Sequence, residues 1–232
     1  SFQNFAAAGT HRVVLNGSGL QTVSFDTPGL ADSRFQELEL TNAAGVSFAS
    51  NVQVNGNITL TSGAVTGAAT LTVPGGVVSL APGTSLGVGA LVIGGTLSGA
   101  GALAVPAITF TGTGQTLPGR ADYHSVVTTG TVTVGGATPL TGNLTVAGGT
   151  LTLNGQTVTV SGSFSNSGGT FTMGSVADVL DVRGNVSIST SAANAGLTAG
   201  TLLVGGNFTQ TRTSSFQNFA AAGTHRVVLN GS

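Results

Sequence analysis

Residues 150–173 read TLTLNGQTVTVSGSFSNSGGTFTM, and this stretch contains the pattern that decides the fold. Threonine or serine alternates with valine, leucine or phenylalanine in short runs, and the pairs Asn154-Gly155 and Gly168-Gly169 separate some of these runs. Such alternation with β-branched residues predicts β-strands, and the glycine-containing pairs predict turns. About twenty residues therefore hold two or three short strands joined by tight corners.

A motif of glycine, a small polar residue and alternating apolar residues recurs along the chain. It begins at Gly142, Gly162, Gly184 and Gly206, and it also begins at Gly56. Successive starts among the first four are about 20 to 22 residues apart, a period in the range of repeat architectures. Gly56 precedes Gly142 by four steps of nearly the same length. This regular spacing indicates that each step forms one coil of the structure.

The two ends of the chain carry the same eighteen residues. Residues 1–18 and 215–232 both read SFQNFAAAGTHRVVLNGS, so position 215 repeats position 1. Identity over this length predicts a tandem array, in which 1–214 is one complete repeat and 215–232 begins the next identical repeat. Ten steps of about 21 residues fill one such period.

Short strands at regular spacing are compatible with a sandwich, a propeller or a solenoid, and the period selects among them. Propeller blades repeat at about 40 to 50 residues, whereas the coils of a parallel β-helix repeat at about 20. The sequence therefore predicts an all-β, right-handed parallel β-helix (β-solenoid) of about ten coils of 21–22 residues per 214-residue repeat. Valine, leucine, isoleucine and phenylalanine are expected to point inward, and threonine and serine outward.

The polar residue after the recurring glycine is expected to form a ladder at one corner of adjacent coils. The predicted ladder consists of Asn143, Ser163, Asn185 and Asn207. Asparagine tolerates the left-handed conformation, and its amide can bond the asparagines above and below. The asparagines, with Asn16 and Asn57, also match the Asn-x-Ser/Thr acceptor pattern, so glycosylation stays open as an alternative.

Composition excludes several classes of protein. Only 6% of the residues are charged and the net charge is −1, so the chain lacks the basic footprint of a nucleic-acid-binding protein. The apolar runs are far shorter than the roughly 18 to 20 residues that cross a bilayer, so no membrane insertion is expected. The absence of cysteine excludes a disulfide scaffold.

The sequence of the repeat resembles that of a known group of proteins. The segment from Gly9 to Gly19, followed by Gln21-Thr22-Val23 and by Gly56-Asn57-Ile58-Thr59-Leu60-Thr61-Ser62-Gly63, is similar to repeats in large secreted bacterial surface proteins. The general pattern is that of β-helical adhesins of the filamentous-haemagglutinin and autotransporter-passenger type. The resemblance implies a surface-displayed or released extracellular fibre exported by a bacterium, with no catalytic residues to carry over.

Two groups of acidic residues are candidates for chemistry. Asp178, Asp181 and Arg183 are close in sequence and could form the carboxylate cluster of a carbohydrate-active β-helix, but a solvated corner with local charge pairing is the favoured interpretation. Glu37 and Glu39 alternate along a strand and are expected to face solvent rather than hold a metal. No catalytic, cofactor-binding or metal-binding residue is predicted, and no enzyme activity or cofactor is expected.

Histidines and threonines complete the set of candidates. His11 and His225 are the same position in successive copies, and His124 stands alone; all three are predicted to be surface or edge residues. Five Thr-x-Thr motifs could form the flat hydroxyl ladders of an ice-binding solenoid, but they are predicted to shift among faces as ordinary solvent-facing threonine. The motifs are Thr70-Leu71-Thr72, Thr131-Val132-Thr133, Thr150-Leu151-Thr152, Thr157-Val158-Thr159 and Thr170-Phe171-Thr172.

Together these patterns predict a structural extracellular filament built from tandem β-solenoid repeats, a stiff bacterial surface appendage or matrix element. Its expected partner is itself, end to end along the fibre axis and also side by side. Two alternatives stay open. One is the shaft of an adhesin whose binding domain lies elsewhere and contacts a host or cell surface; the other is a carbohydrate-active β-helix.

Overall fold

The computed structural model describes residues 5–191, 196–211 and 217–231. In this part of the chain every regular element is a β-strand, and the strands are parallel and stack as a β-solenoid of about eight turns. The predicted all-β parallel solenoid is therefore confirmed. The chain divides into two compact units, residues 1–109 and 110–232.

The first unit contains three stacks of parallel strands, in the orders β1-β3-β6-β9-β12, β2-β4-β7-β10-β13 and β5-β8-β11. The strands are β1 (Arg12–Leu15), β2 (Gln21–Val23), β3 (Glu37–Leu40), β4 (Val46–Phe48), β5 (Val52–Gln53), β6 (Ile58–Leu60), β7 (Ala64–Thr66), β8 (Thr70–Val73), β9 (Val77–Leu80), β10 (Ser85–Gly87), β11 (Ala90–Ile93), β12 (Thr96–Gly99) and β13 (Ala102–Leu103). Strand β14 (Ala107–Phe110) ends at the first residue of the second unit.

The second unit also contains three parallel stacks, in the orders β15-β17-β20-β23, β16-β19-β22-β25-β27 and β18-β21-β24-β26-β28. The strands are β15 (Gln115–Leu117), β16 (Ser125–Thr128), β17 (Thr131–Val134), β18 (Thr138–Leu140), β19 (Leu144–Val146), β20 (Thr150–Thr152), β21 (Thr157–Val160), β22 (Phe164–Asn166), β23 (Thr170–Thr172), β24 (Val179–Val182), β25 (Val186–Ile188), β26 (Thr201–Val204), β27 (Phe208–Gln210) and β28 (Arg226–Leu229). Most turns of the chain thus add one strand to each stack.

The turns are unequal in length, whereas a regular step of 21–22 residues was predicted. In the β1-β3-β6-β9-β12 stack the longest step joins β1 to β3, where Arg12 pairs with Glu37. The shortest step joins β9 to β12, where Val78 pairs with Leu97. The first turn is long because residues 24–36 form a corner loop whose pairing is limited to isolated bridges.

Turn length varies in the second unit as well. In the β18-β21-β24-β26-β28 stack, Thr138 pairs with Val158 across the shortest step, and Thr201 pairs with Arg226 across the longest. Corner loops of different length account for these differences, and the solenoid as a whole has about eight turns.

Alternation along each strand places apolar side chains in a dry core. Leu38, Ile58, Val78 and Leu97 occupy equivalent positions of successive turns, and their exposed fractions are 1%, 0%, 0% and 3%. The residues that flank these four along their own strands are half-buried or exposed. Burying an aliphatic side chain of this size contributes about 1.5 to 3 kcal/mol, so the core column is the main source of cohesion.

The Asn-Gly pair that was predicted to form a turn does so. Asn154 and Gly155 have φ values of 56° and 78°, and the Gln156 N–H closes the turn by donating to the Leu153 carbonyl at 3.1 Å. Two successive residues with positive φ favour asparagine followed by glycine. This turn lies at the corner that Asp178 holds, which is described below.

Candidate functional site

The predicted corner ladder is present in the second unit, and we call Asn143, Ser163, Asn185 and Asn207 the corner ladder. The Ser163 N–H donates to Asn143 Oδ1 (2.8 Å), the Asn185 N–H donates to Ser163 Oγ (3.1 Å), and the Asn207 N–H donates to Asn185 Oδ1 (2.9 Å). The side chains of Asn143, Ser163 and Asn185 therefore each bind the backbone of the next turn.

The chemistry of this ladder differs from the prediction in two respects. The bonds run from side chain to backbone, whereas amide-to-amide bonds between asparagines were expected. The ladder asparagines also do not need the left-handed conformation, since among the described residues Asn154 is the one non-glycine residue with positive φ. Asparagine is used here because its short side chain places an acceptor where the next corner presents an N–H.

The glycines that precede the ladder residues leave no space for a side chain. A Cβ on Gly184 would lie 2.5 Å from the Gly162 carbonyl oxygen, and one on Gly206 would lie 2.6 Å from Asn185 Oδ1. The backbones bond across this gap, since the N–H groups of Gly184 and Gly206 donate to the carbonyls of Gly162 and Gly184, both at 2.9 Å. The recurring glycine is therefore required for close stacking of the turns.

The same corner arrangement exists in the first unit. Asn57 Oδ1 accepts the N–H of Val77 at 2.8 Å, and the Asn57 N–H donates to Glu37 Oε2 at 2.9 Å. Glu37 thus takes the place of a ladder asparagine one turn earlier. Polar side chains of different types hold successive corners together at this position.

Asp178 is buried, contrary to the prediction that it lies at a solvated corner with local charge pairing. Its side chain is at the wall of a recess, and the residue is 1% exposed. Its Oδ1 accepts the N–H of Gly155 at 2.5 Å and its Oδ2 accepts the N–H of Ser175 at 2.9 Å. The carboxylate therefore fastens the Asn154-Gly155 turn to the corner of the following turn.

The other two members of the proposed carboxylate cluster do not join Asp178. Asp181 lies in β24 with its side chain on the outer side, and Arg183 is exposed. The ion pairs recorded among the described residues are Arg12–Glu39 and Arg120–Asp122, so none links these three side chains. Asp178 has its two oxygens directed at backbone N–H groups, and the geometry of paired catalytic carboxylates is not assembled here.

Glu37 and Glu39 face the outside of β3 as predicted, but their carboxylates bind different neighbours. Glu37 accepts from the Asn57 N–H in the direction of β6, whereas Glu39 forms an ion pair with Arg12 of β1 (2.9 Å). The two acids thus bind neighbouring turns on opposite sides of the strand. Within the described ranges, no group of three metal-ligating side chains is present.

The three histidines have separate environments. His11 and His124 are exposed, and His124 Nδ1 lies 2.9 Å from Thr141 Oγ1. His225 is half-buried, with Nδ1 at 2.8 Å from the Ala199 carbonyl oxygen. His11 and His225 each contact a phenylalanine edge, Phe5 and Phe219 respectively. Their place at the surface or at a sheet edge agrees with the prediction.

A charged corner that was not among the predicted sites lies at residues 118–124. Arg120 binds Asp122 through two nitrogens, Nε to Oδ1 at 2.9 Å and Nη2 to Oδ2 at 2.7 Å. Tyr123 is 1% exposed beside this pair, and its hydroxyl donates to the Pro118 carbonyl. Burial raises the pKa of Tyr123, and the hydrogen bond that Arg120 donates to Asp122 raises the pKa of Arg120. The Arg-x-Asp-Tyr spacing is the signal that could have identified this corner.

Three of the five Thr-x-Thr motifs align on one face, while those of β8 and β21 lie in other stacks, so the predicted shift among faces is confirmed only in part. The motifs of β17, β20 and β23 pair in register, with Val132, Leu151 and Phe171 pointing into the core between their threonines. We call the six outward residues the threonine array: Thr131, Thr150 and Thr170 in one column, and Thr133, Thr152 and Thr172 in the other. Adjacent rows are one strand spacing apart, roughly 4.8 Å, so the array offers a regular grid of hydroxyl groups.

Comparisons with known proteins give no relative. No family model, no curated protein and no solved structure matches this chain. Among the residues that the structure describes, none belongs to a helix long and apolar enough to cross a membrane. Function is therefore inferred from the chain's own geometry.

Proposed function

We propose that this chain is a repeat of a structural extracellular filament, a stiff bacterial surface appendage or matrix element in which β-solenoid repeats follow one another. The observation that carries the proposal is the parallel stacking of turns by backbone hydrogen bonds between neighbouring strands. In this role the chain contributes length and cohesion. Its expected partners are further copies of itself, along the fibre axis and side by side.

Cohesion between turns has three independent sources in the structure. Parallel backbone bonds connect every pair of neighbouring strands within each stack. Apolar columns such as Leu38-Ile58-Val78-Leu97 bury the core. The corner ladder adds side-chain acceptors for backbone N–H groups at the bends. Because each turn covers the hydrogen-bonding edge of the previous one, only terminal strands keep an open edge.

Low charge also supports a filament. With 6% charged residues, the outer positions of the strands are mainly threonine, serine and alanine, which allow close lateral contact. An isolated domain would need more surface charge to stay dispersed. Small polar side chains on the outside favour an element that packs against other copies.

The test is imaging of the natural source. Antibodies against residues 1–232 should label thin extracellular fibres in electron micrographs, and aligned fibres should diffract at about 4.8 Å along the axis. Labelling confined to the cell interior would refute the proposal. Saturable binding of the purified chain to a carbohydrate or to host cells would instead favour an adhesive role for the repeat itself.

A second candidate function is favoured by the threonine array. A flat grid of hydroxyl groups at strand spacing can order water at its surface, as an ice-binding face does. The purified chain would then inhibit ice growth, and Thr152→Tyr in the middle of the array should abolish the inhibition while Thr159→Tyr in β21 should not. Absence of any effect of the unmodified chain on ice growth would remove this candidate.

A further inference from the structure

The identical sequence at 1–18 and 215–232, which we call the shared segment, folds in the same way in both copies. The structure describes 5–18 of the first copy and 217–231 of the second. Gly9 and Gly223 are equivalent and have φ values of 64° and 60°. In both copies the histidine N–H donates to the carbonyl of the alanine three residues earlier, at 3.3 and 3.2 Å, and the strand covers the same four residues. The conformation is therefore intrinsic to the segment.

The two copies nevertheless pair through different edges. In the first copy, β1 pairs with β3, which follows it in the chain, and the carbonyls of His11 and Leu15 accept the N–H groups of Glu37 and Thr41 (3.1 and 3.0 Å). These bonds use the carbonyls of the eleventh and fifteenth positions of the segment. Strand β1 is the last strand of its stack, so its other edge carries no strand there.

In the second copy, β28 pairs with β26, which precedes it, and β28 is likewise the last strand of its stack. Here the N–H groups of Arg226 and Asn230 donate to the carbonyls of Gly200 and Val204, at 2.9 and 3.0 Å. These are the twelfth and sixteenth positions of the segment, and they alternate with the positions that β1 uses. No backbone group is required by both neighbours, so one strand can serve both at once.

Two side chains of β28 that align with the core are incompletely buried. Val227 and Leu229 are 38% and 69% exposed, although they align with core residues of β26. The residues that cover the equivalent positions of β1 are Leu38 and Leu40 of β3, each 1% exposed. A strand equivalent to β3 placed on β28 would cover the apolar side chains that are now open to solvent.

Aromatic contacts follow the same two-sided pattern. In the first copy the ring centroids of Phe5 and Phe35, a later residue of the chain, are 5.7 Å apart. In the second copy the equivalent Phe219 lies 5.1 Å from Phe208, which precedes it. The same ring therefore packs against a later part of the chain in one copy and an earlier part in the other.

Charge selects among the strands that could cover β28. Strand β3 presents Glu39, which binds Arg12 at 2.9 Å, and Arg226 is the equivalent of Arg12. If instead two separate chains met end to end with β1 in register on β28, Arg12 would lie beside Arg226. Like charges directly opposite one another destabilise a sheet.

We infer that β28 is a junction strand, whose second edge receives β3 of a following copy of the 214-residue repeat, with Val227 beside Leu38 of that copy. The following copy continues in line from the shared segment, so one covalent chain carries the solenoid across the boundary between repeats. The inference rests on the tandem organisation of the proposed filament and names how its repeats are joined.

The test compares the 232-residue chain with a two-repeat chain, in which residues 19–232 follow once more after residue 232. Hydrogen exchange should slow on the order of 100-fold at the amides of Val227 and Leu229 in the two-repeat chain, because these groups gain an acceptor strand. Equal exchange rates in the two chains would overturn the junction. Protection of these amides in the 232-residue chain that grows with concentration would also overturn it, in favour of end-to-end association.

A pair of variants separates the junction from a general loss of stability. Leu229→Asp should scarcely change the 232-residue chain, where the side chain is 69% exposed, but it should reduce the protection of β28 in the two-repeat chain. Val228→Asp, on the outward side of the same strand, is the matched control and should have little effect in either chain. An equal effect of Leu229→Asp in both chains would refute burial at the junction. These outcomes are independent of imaging, so the junction can fail while extracellular fibres are found, or hold while they are not.

Discussion

Substitution of Asp178 provides the sharpest test of how the corners are held. Asp178→Ala removes the acceptors of two backbone N–H groups, those of Gly155 and Ser175. An unsatisfied buried donor costs about 1 to 3 kcal/mol, and both groups are partly accessible to water, so we expect a loss of about 2 to 4 kcal/mol in the free energy of unfolding. Asp178→Asn keeps one acceptor oxygen and should cost about half as much.

The assay is equilibrium unfolding in urea, with Asp181→Asn as the matched control. Asp181 follows Asp178 closely in the chain and lies in β24 with its side chain on the outer side. Its replacement should change stability by less than about 0.5 kcal/mol. The reasoning is refuted if Asp178→Ala costs no more than Asp181→Asn. A catalytic role for Asp178 predicts the opposite pattern, in which activity on a polysaccharide is lost while the unfolding midpoint is unchanged.

Three further predictions concern the ladder, the core and the buried tyrosine. Asn185→Ala should speed exchange of the Asn207 amide and cost about 0.5 to 1.5 kcal/mol in urea unfolding, and an unchanged Asn207 amide would contradict the ladder. Phe171→Ala should cost about 3 to 5 kcal/mol, since the residue is 1% exposed, whereas Val176→Ala at an 80% exposed position should cost less than about 0.5 kcal/mol; similar losses would argue against the inward assignment. Tyr123 is the single tyrosine, and burial raises its pKa, so the stability it contributes is present below the unfolded pKa of about 10 and is lost as pH rises through the folded value. Phenolate absorbance should therefore appear together with alkaline unfolding, and smooth titration near pH 10 in the folded chain would disprove this burial.

Local patterns in the sequence were sufficient for the elements and their stacking direction. Alternation such as Thr157-Val158-Thr159-Val160 selects a strand with one dry face whatever surrounds it, and β21 covers these four residues. A recurrence of about 20 residues is too short for antiparallel blades and fits one turn of a parallel coil. The glycine-asparagine corners were also located correctly, because only glycine fits where one turn lies against the next.

The roles of individual polar residues could not be obtained in the same way. Asp178 and Asp181 look alike in sequence, yet one is buried against two backbone N–H groups and the other lies on the outer side of a strand. The direction of the corner bonds, from side chain to backbone, likewise depends on where the next turn places its N–H. Such facts concern residues one full turn apart, whose relative placement no local pattern fixes.

The sequence by itself therefore determined that this protein is a parallel β-solenoid, and that its segment 1–18 recurs at 215–232. Only the tertiary structure decided the lengths of the individual turns, the alignment of the threonine array, and the use of opposite edges by β1 and β28. The physical reason is register. Corner loops make the turns unequal in length, as the pairings of β1 with β3 and of β9 with β12 show, so which side chains meet in neighbouring turns is set by loop length and packing rather than by the repeated letters.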